Sequence, residues 1–164
     1  MKVVFLDIDG VLNSDAWLKQ QTKLRKQRGR PISFFDPAAV SLVRGLVEQT
    51  GSKVVLSSAW RISHSLEDIK WYLADAGWPD APLIDKTPIH RRITFGEVAP
   101  FNRRLSRRGD EVAEWLNLHP VESFAVLDDW AEFYSNQNFV QTDPKVGLTQ
   151  GDVAKALKFL SEKS

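Results

Sequence analysis

The chain has 164 residues, 43% of them hydrophobic, and a net charge of +1, which suits one ordinary domain over residues 1–164. It contains no cysteine, which excludes disulfides, a thiolate zinc site and a cysteine nucleophile. No segment approaches the roughly 18–20 apolar residues that span a membrane, and the first apolar run is too short for a signal peptide, so we expect a cytoplasmic protein without membrane contact.

The first predicted element is a buried strand that ends in two carboxylates. The apolar run Val3 to Leu6 is followed by Asp7, Ile8, Asp9 and Gly10. Open α/β sheets place their chemistry at the carboxyl ends of their strands. Two carboxylates at such a place repel each other until a cation or a proton neutralises one of them. The pattern therefore predicts a metal site, acid–base chemistry, or both.

Residues 14–35 form a basic segment that we interpret as a flap. They contain six basic residues and one acidic residue, for a net charge of +5, and they predict a short helix near Ala16 to Leu24. A clearer helix follows, because Asp36 is a good N-cap, Pro37 suits the first helical position, and an apolar stripe runs to Gly51.

The next part of the chain repeats the alternation of strand and helix. Lys53 to Leu56 predicts a second buried strand, which ends in Ser57 and Ser58. Ser65 to Ala76 predicts a helix, and Pro82 to Asp85 predicts a third, short strand.

Residues 86–108 form a second basic segment with no regular pattern. Seven basic residues and one acidic residue give it a net charge of +6, so the rest of the chain outside the two basic segments carries −10. A helix from Asp110 to Leu118 follows the segment. Positive charge is therefore concentrated in the two basic segments and negative charge in the rest of the sequence.

The last third of the chain predicts two more strands and a helix. Ser123 to Leu127 is of the buried type and ends in Asp128 and Asp129. Phe139 to Thr142 is a short candidate strand, and Thr149 is a suitable cap for a final amphipathic helix.

This order of elements predicts an α/β fold, a doubly wound, Rossmann-like parallel sheet of about five strands with helices on both faces. The carboxyl ends of parallel strands lie at one edge of the sheet, so the polar clusters of the first, second and fourth strands can meet in one crevice. Three or four carboxylates in one crevice require a cation, and a site with only oxygen ligands favours Mg²⁺.

These motifs together resemble the haloacid dehalogenase (HAD) superfamily of phosphohydrolases. The resemblance rests on Asp7-x-Asp9-Gly10, a serine that ends the second strand, a basic residue about twenty positions before the last acidic pair, and that pair itself. Further details resemble the small HAD domains associated with bacterial and phage RNA-repair proteins: Leu56-Ser57-Ser58-Ala59-Trp60-Arg61, Arg108-x-x-Glu111 followed by Trp115-Leu116, and Gly147-Leu148-Thr149.

The resemblance implies a role for each catalytic residue. Asp7 would be the nucleophile that forms an aspartyl-phosphate, and Asp9 would be the general acid and then the general base. Ser57 would donate a hydrogen bond to a phosphoryl oxygen, and Arg108 would supply a fixed cation. Arg107 is the competitor for that last role, but the spacing to the following Glu111 favours Arg108.

The resemblance also implies a metal site and a phosphate-binding surface. Asp128 and Asp129, together with the Asp7 carboxylate and the Asp9 main-chain carbonyl, would hold Mg²⁺. Ser58, Gly10 and Arg61 are candidate substrate-binding residues. For Arg61 two interpretations stay open, since its guanidinium could contact a phosphate or simply cap a helix.

The gaps between the motifs bear on the substrate. Residues 14–35 and the stretch from Trp78 to Arg107 are too short for a folded cap domain, so we expect an open site that accepts a phosphate on a large molecule. The two basic segments favour an RNA or DNA end. The alternatives are a phosphatase of metabolites or nucleotides, a phospho-accepting receiver domain, and a nucleic-acid-binding module. A receiver carries its acceptor after the third strand rather than the first, and a binding module does not need Asp7.

Overall fold

Five parallel strands form one sheet with the order β3-β2-β1-β4-β5. The structure is a computed structural model that describes residues 1–29, 33–90 and 107–161. The strands are β1 (Lys2–Leu6), β2 (Lys53–Leu56), β3 (Leu83–Lys86), β4 (Ser123–Asp128) and β5 (Phe139–Gln141). The predicted α/β class with a parallel, Rossmann-like sheet is confirmed, and β1, the strand that Asp7 directly follows, lies at the centre of the sheet.

The helices of the described residues cover both faces of this sheet. They are α1 (Asp15–Arg28), α2 (Pro37–Thr50), α3 (Leu66–Asp75), α4 (Arg108–Leu118) and α5 (Gln150–Ser161), with a short 3₁₀ helix at Ala59–Ile62. The helices α2, α3 and α5 bury their apolar residues against one face, where Val4 and Leu6 of β1 lie. On the other face, Trp115 of α4 packs against Val3 and Phe5.

Local sequence signals explain most of the helix ends. The Asp36 side chain accepts a hydrogen bond from the backbone N–H of Ala38, Pro37 occupies the first turn of α2, and Gly51 ends that helix with a φ of +66°. Ser65 and Asp68 form a reciprocal capping box at the start of α3. These polar contacts satisfy backbone groups that a helix leaves unpaired at its ends.

The helix α1 is longer than the predicted stretch from Ala16 to Leu24. Ser14 caps its start and Gly29 ends it with a φ of +64°. Gln21 is the only residue that α1 buries, and the helix is tied down by polar bonds, since Trp17 Nε1 donates to the Ser33 carbonyl at 3.1 Å. A helix held in this way has little apolar periodicity, which explains why the pattern predicted only part of it.

The described part of the chain contains no large cap domain. Between β1 and α2 stands a single helix, α1. Most of the second basic segment, residues 91–106, lies outside the described residues. Among the residues that are described, no helix combines the length and the apolar character needed to cross a bilayer.

Candidate active site

The register of the three central strands, β2, β1 and β4, places the polar residues that follow each strand next to one another. Leu6 pairs with Leu56 on one side and with Leu127 on the other, so the residues that follow them emerge side by side. The ladder continues for one more step, because the N–H of Asp7 donates to Leu127 and the N–H of Ser57 donates to Leu6, both at 2.9 Å. Three sequence motifs thereby meet at the carboxyl edge of the sheet.

Asp7 lies at the centre of this edge and is buried, with 1% of its surface exposed. Neither of its carboxylate oxygens accepts a well-aligned hydrogen bond, although Oδ2 lies 2.9 Å from Arg108 Nη1 in a buried ion pair. The Oγ of Ser57 and the Nε of Arg108 are also buried, and neither has a hydrogen-bond partner. Buried polar atoms nearly always have partners, so this cluster of an acceptor pair and two donors indicates a place where a polar ligand binds.

Arg108 enters the site from the first turn of α4. Its Nη1 lies 2.6 Å from Asp128 Oδ2, 2.9 Å from Asp7 Oδ2 and 3.0 Å from the Ser57 carbonyl oxygen. Arg107 points elsewhere, with its guanidinium carbon 5.6 Å from the centre of the Tyr134 ring. Of the two competing arginines, the structure puts Arg108 among the carboxylates.

Asp7, Asp128 and Asp129 form a group that could hold a metal ion. One carboxylate oxygen from each residue lies within 4.8 Å of the other two. Carboxylate oxygens at such separations fit the needs of a hard divalent cation. The Asp9 carboxylate is not part of this group.

Burial and mutual repulsion raise the proton affinity of these carboxylates. Burial, followed by the charge of Asp7, raises the pKa of Asp128 to about 8, although Arg108 acts in the opposite direction. Burial also raises the pKa values of Asp7 and Asp129. Burial alone lowers the pKa of Arg108, but the charges of Asp7 and Asp128 outweigh it and raise that pKa, so the guanidinium stays charged. The site is short of positive charge.

Asp9 and Gly10 form the turn that follows β1. Asp9 is exposed, and its carboxylate accepts hydrogen bonds from Asn13 Nδ2 and from Trp60 Nε1. Gly10 has a φ of +72°, and a Cβ at this position would lie 2.7 Å from the Asp129 carboxyl group. Glycine is therefore needed here both for the backbone conformation and for the close approach of Asp129.

The two serines after β2 have different surroundings. The Ser57 Oγ is unpaired, whereas the Ser58 Oγ accepts a hydrogen bond from the Trp60 N–H at 3.3 Å and so caps the 3₁₀ helix. The Ser57 hydroxyl, which has no partner within the protein, is available to donate to a ligand.

Arg61 is buried behind the serines rather than displayed to solvent. Its Nη1 donates to the Ser58 carbonyl at 2.6 Å, its Nε donates to the Thr87 carbonyl at 3.2 Å, and its Nη2 forms a buried ion pair with Glu111. Glu111 lies on α4, one turn after Arg108. These bonds tie the loop after β2 to α4 and to the residues that follow β3.

Three residues of the site had no assigned role in the sequence. Asn13 and Trp60 contact Asp9, and Glu111 anchors Arg61. For Asn13 a signal existed in its place beside the Asp9–Gly10 turn, because asparagine side chains in turns often bond to nearby backbone. For Trp60 and Glu111 no local signal exists, since each partner is about fifty positions away.

Residues 3–153 match a family model described as the HAD domain in Swiss Army Knife RNA repair proteins. No curated protein and no solved structure matches the chain. The match covers the five strands described above, except Lys2 at the start of β1, and every site residue described above.

Proposed function

The chain belongs to the HAD domain family of Swiss Army Knife RNA repair proteins, and from this membership we propose that it is a Mg²⁺-dependent phosphatase. The proposed reaction removes a terminal phosphate from a nucleic acid through an aspartyl-phosphate. The family supports a HAD-type phosphohydrolase, and the residues at the sheet edge support the remaining steps.

The observation that carries the proposal is the cluster of unpaired polar atoms around Asp7. The Asp7 carboxylate is a buried nucleophile ion-paired to Arg108 Nη1, and Ser57 Oγ and Arg108 Nε are donors without an acceptor. A phosphoryl group would place its electrophilic phosphorus at the Asp7 carboxylate and its oxygens at Ser57 Oγ and Arg108 Nε. This division of roles matches what phosphoryl transfer requires.

The reaction proceeds in two steps. In the first, an Asp7 oxygen attacks phosphorus, the bond from phosphorus to the leaving oxygen breaks, and Asp9 gives that oxygen a proton. In the second, water attacks the aspartyl-phosphate, Asp9 takes a proton from the water, and phosphate leaves Asp7. Arg108 neutralises negative charge in both steps because it is fixed beside Asp7.

Asp7, Asp128 and Asp129 would hold the cation, together with the main-chain carbonyl of Asp9. A bound Mg²⁺ supplies positive charge that lets an anionic carboxylate approach an anionic phosphate. The raised pKa values of Asp128 and Asp129 support this assignment, because burial and then the charge of Asp7 disfavour their ionised forms, and a cation would relieve both effects.

The nucleic-acid substrate is supported by access and by charge. The described residues carry no large cap over the sheet edge, so a phosphate on a large molecule can approach. The helix α1 begins two residues after Asn13, whose amide donates a hydrogen bond to Asp9. It carries five basic residues, all of them exposed. They are Lys19, Lys23, Arg25, Lys26 and Arg28.

The test compares release of phosphate from 3′- and 5′-phosphorylated RNA and DNA oligomers, mononucleotides and sugar phosphates, each with Mg²⁺ and with a chelator. We expect metal-dependent release that is fastest with one class of oligomer. A clear preference for sugar phosphates or mononucleotides would contradict the nucleic-acid substrate.

The variant Asp7→Asn tests the covalent mechanism in the same assay. We expect its rate to fall below about one-thousandth of the wild-type rate, because no other carboxylate can replace the nucleophile. Asp80→Asn is the matched control, since Asp80 is an exposed aspartate in a loop before β3. Activity that survives in Asp7→Asn would exclude Asp7 as the nucleophile.

A further inference from the structure

The carboxylate of Asp9 is held by two donors from different parts of the chain. Trp60 Nε1 lies 3.1 Å from Oδ1 and 3.0 Å from Oδ2, so one N–H is shared between both oxygens. Asn13 Nδ2 donates to Oδ1 at 3.0 Å. The two oxygens are therefore unequal, because Oδ1 accepts from both donors and Oδ2 from Trp60 alone.

The indole of Trp60 is fixed by neighbouring rings. His64 stacks on it with a centroid distance of 4.8 Å. Phe34, Phe35 and Tyr72 approach it at tilted or edge-on angles, with centroid distances between 5.6 and 5.8 Å. Such ring contacts restrict rotation of the indole, so its N–H stays directed at Asp9.

The amide of Asn13 is oriented by its other contact. Its Oδ1 accepts a hydrogen bond from the N–H of Gly10 at 3.2 Å. That bond places Nδ2, rather than Oδ1, against Asp9. Both neighbours of the Asp9 carboxylate are consequently hydrogen-bond donors.

We propose that Trp60 is a positioning residue for Asp9 and that it leaves Oδ2 as the oxygen that exchanges a proton with the substrate. The inference rests on the proposed function, in which Asp9 is the general acid and base. An indole N–H only donates, so it cannot accept a proton that Asp9 carries. The O–H of protonated Asp9 must point away from Trp60 and Asn13, and Oδ2 is the oxygen with the free direction.

The proton balance follows from this assignment. In the first step the Oδ2–H bond breaks as the leaving oxygen takes the proton and its bond to phosphorus is lost. In the second step Oδ2 receives a proton from the water that attacks the aspartyl-phosphate. Asp9 returns to its starting state, and Trp60 keeps its own proton throughout.

The experiment compares kcat/KM for two substrates that differ in their need for an acid. p-Nitrophenyl phosphate releases a stable phenolate without protonation, whereas an alkyl phosphate needs a proton on its leaving oxygen. The kcat/KM value reports the steps up to the aspartyl-phosphate, in which Asp9 acts as the acid. Asp9→Asn serves as the reference for complete loss of that acid.

Trp60→Phe removes the N–H and keeps an aromatic ring. We expect its kcat/KM to fall at least about tenfold more for the alkyl phosphate than for p-nitrophenyl phosphate, with the same sign as in Asp9→Asn. Trp71→Phe is the matched control. Trp71 is 63% exposed and touches the edge of the same ring cluster, so its ratio between the two substrates should equal that of the wild type.

The ratio between substrates does not depend on the fraction of folded protein. If Trp60→Phe does not yield folded protein, benzothienylalanine at position 60 provides the second variant, because sulfur replaces the N–H in a ring of nearly equal shape. Suppose that kcat/KM falls equally for both substrates in these variants but falls selectively for the alkyl phosphate in Asp9→Asn. This result would overturn the role of Trp60 and leave the proposed function intact. No selective loss in Asp9→Asn would overturn the acid role in the proposed function as well.

Discussion

At the scale of single residues, Gly10 couples the turn of the first motif to the carboxylate group of Asp7, Asp128 and Asp129. Its φ of +72° disfavours any side chain, and an added Cβ would lie 2.7 to 2.8 Å from atoms of the Asp129 side chain. Gly10→Ala should therefore displace Asp129, lower activity at least about tenfold and destabilise the protein by about 1–3 kcal/mol. Activity assays and urea denaturation measure the two effects.

Gly45→Ala is the control for this prediction. Gly45 is exposed inside α2, and an added Cβ meets no atom within 4 Å. The substitution should leave activity unchanged and stabilise the protein by up to about 1 kcal/mol, because alanine is the better helix former. Equal effects of the two substitutions would show that the contact between residue 10 and Asp129 has no importance.

The raised pKa of Asp128 predicts how the stability of the metal-free protein depends on pH. The folded state holds this proton up to a pH of about 8, whereas the unfolded chain releases it near the ordinary value of 3.8. Between these values the folded state binds more protons than the unfolded state, so stability falls as the pH rises. The melting temperature in chelator should accordingly decrease from about pH 5 to about pH 8.

Two comparisons isolate this effect from other titrating groups. Asp128→Asn removes the group, so its melting temperature should fall less over the same pH range than that of the wild type. Added Mg²⁺ should raise the wild-type melting temperature most at the upper end of the range, where the carboxylates are ionised. If the melting temperature of the wild type fell with pH no more steeply than that of Asp128→Asn, the raised pKa of Asp128 would be contradicted.

At the scale of secondary-structure elements, the position of α4 depends on a buried ion pair. Arg61 follows β2 and Glu111 lies on α4, and their side chains are only 3% and 1% exposed. This pair connects the helix that carries Arg108 to the loop that carries Ser57. We predict that Glu111→Ala destabilises the protein by about 3–5 kcal/mol, because it leaves the buried Arg61 charge without its counter-ion.

Glu114→Ala is the control for that substitution. Glu114 lies one turn further along α4 and pairs with His90, but its side chain is 49% exposed. Exposed ion pairs contribute little, so this variant should lose less than about 1 kcal/mol. Chemical denaturation of both variants gives the comparison, and equal losses would mean that the Arg61 contact contributes no more than a surface pair.

The elements that could be predicted are those with a local cause. Apolar runs and capping residues located β1, β2, β4, α2 and α3 to within one or two residues. Polar contacts between distant segments could not be predicted, and α1 was therefore predicted too short and the 3₁₀ helix was missed. The same division holds in the site, where Asp7 follows its own strand but the bond from Trp60 to Asp9 exists only once the sheet is assembled.

At the scale of the whole molecule, negative and positive charge are concentrated on different parts of the fold. The carboxylates of the site lie at the edge of the sheet, and α1 carries five basic residues with Asp15 as its one acidic residue. Within the described ranges, none of these five side chains forms an ion pair. Lys19, Lys23 and Lys26 share one face of the helix, and all three are exposed. This face is suited to a phosphate backbone.

The lysine face of α1 leads to a prediction about salt. If a single-stranded substrate lies along it, replacing Lys19, Lys23 and Lys26 with glutamine removes up to three phosphate contacts. The plot of log kcat/KM against log salt concentration for an oligomer should then become shallower by about 2, while the value for a mononucleotide stays unchanged. The control replaces Lys2, Lys53 and Lys158, which lie toward the opposite edge of the sheet, with glutamine. Since both triple variants lose the same net charge, an equal change in slope would assign the effect to overall charge and remove α1 from the substrate path.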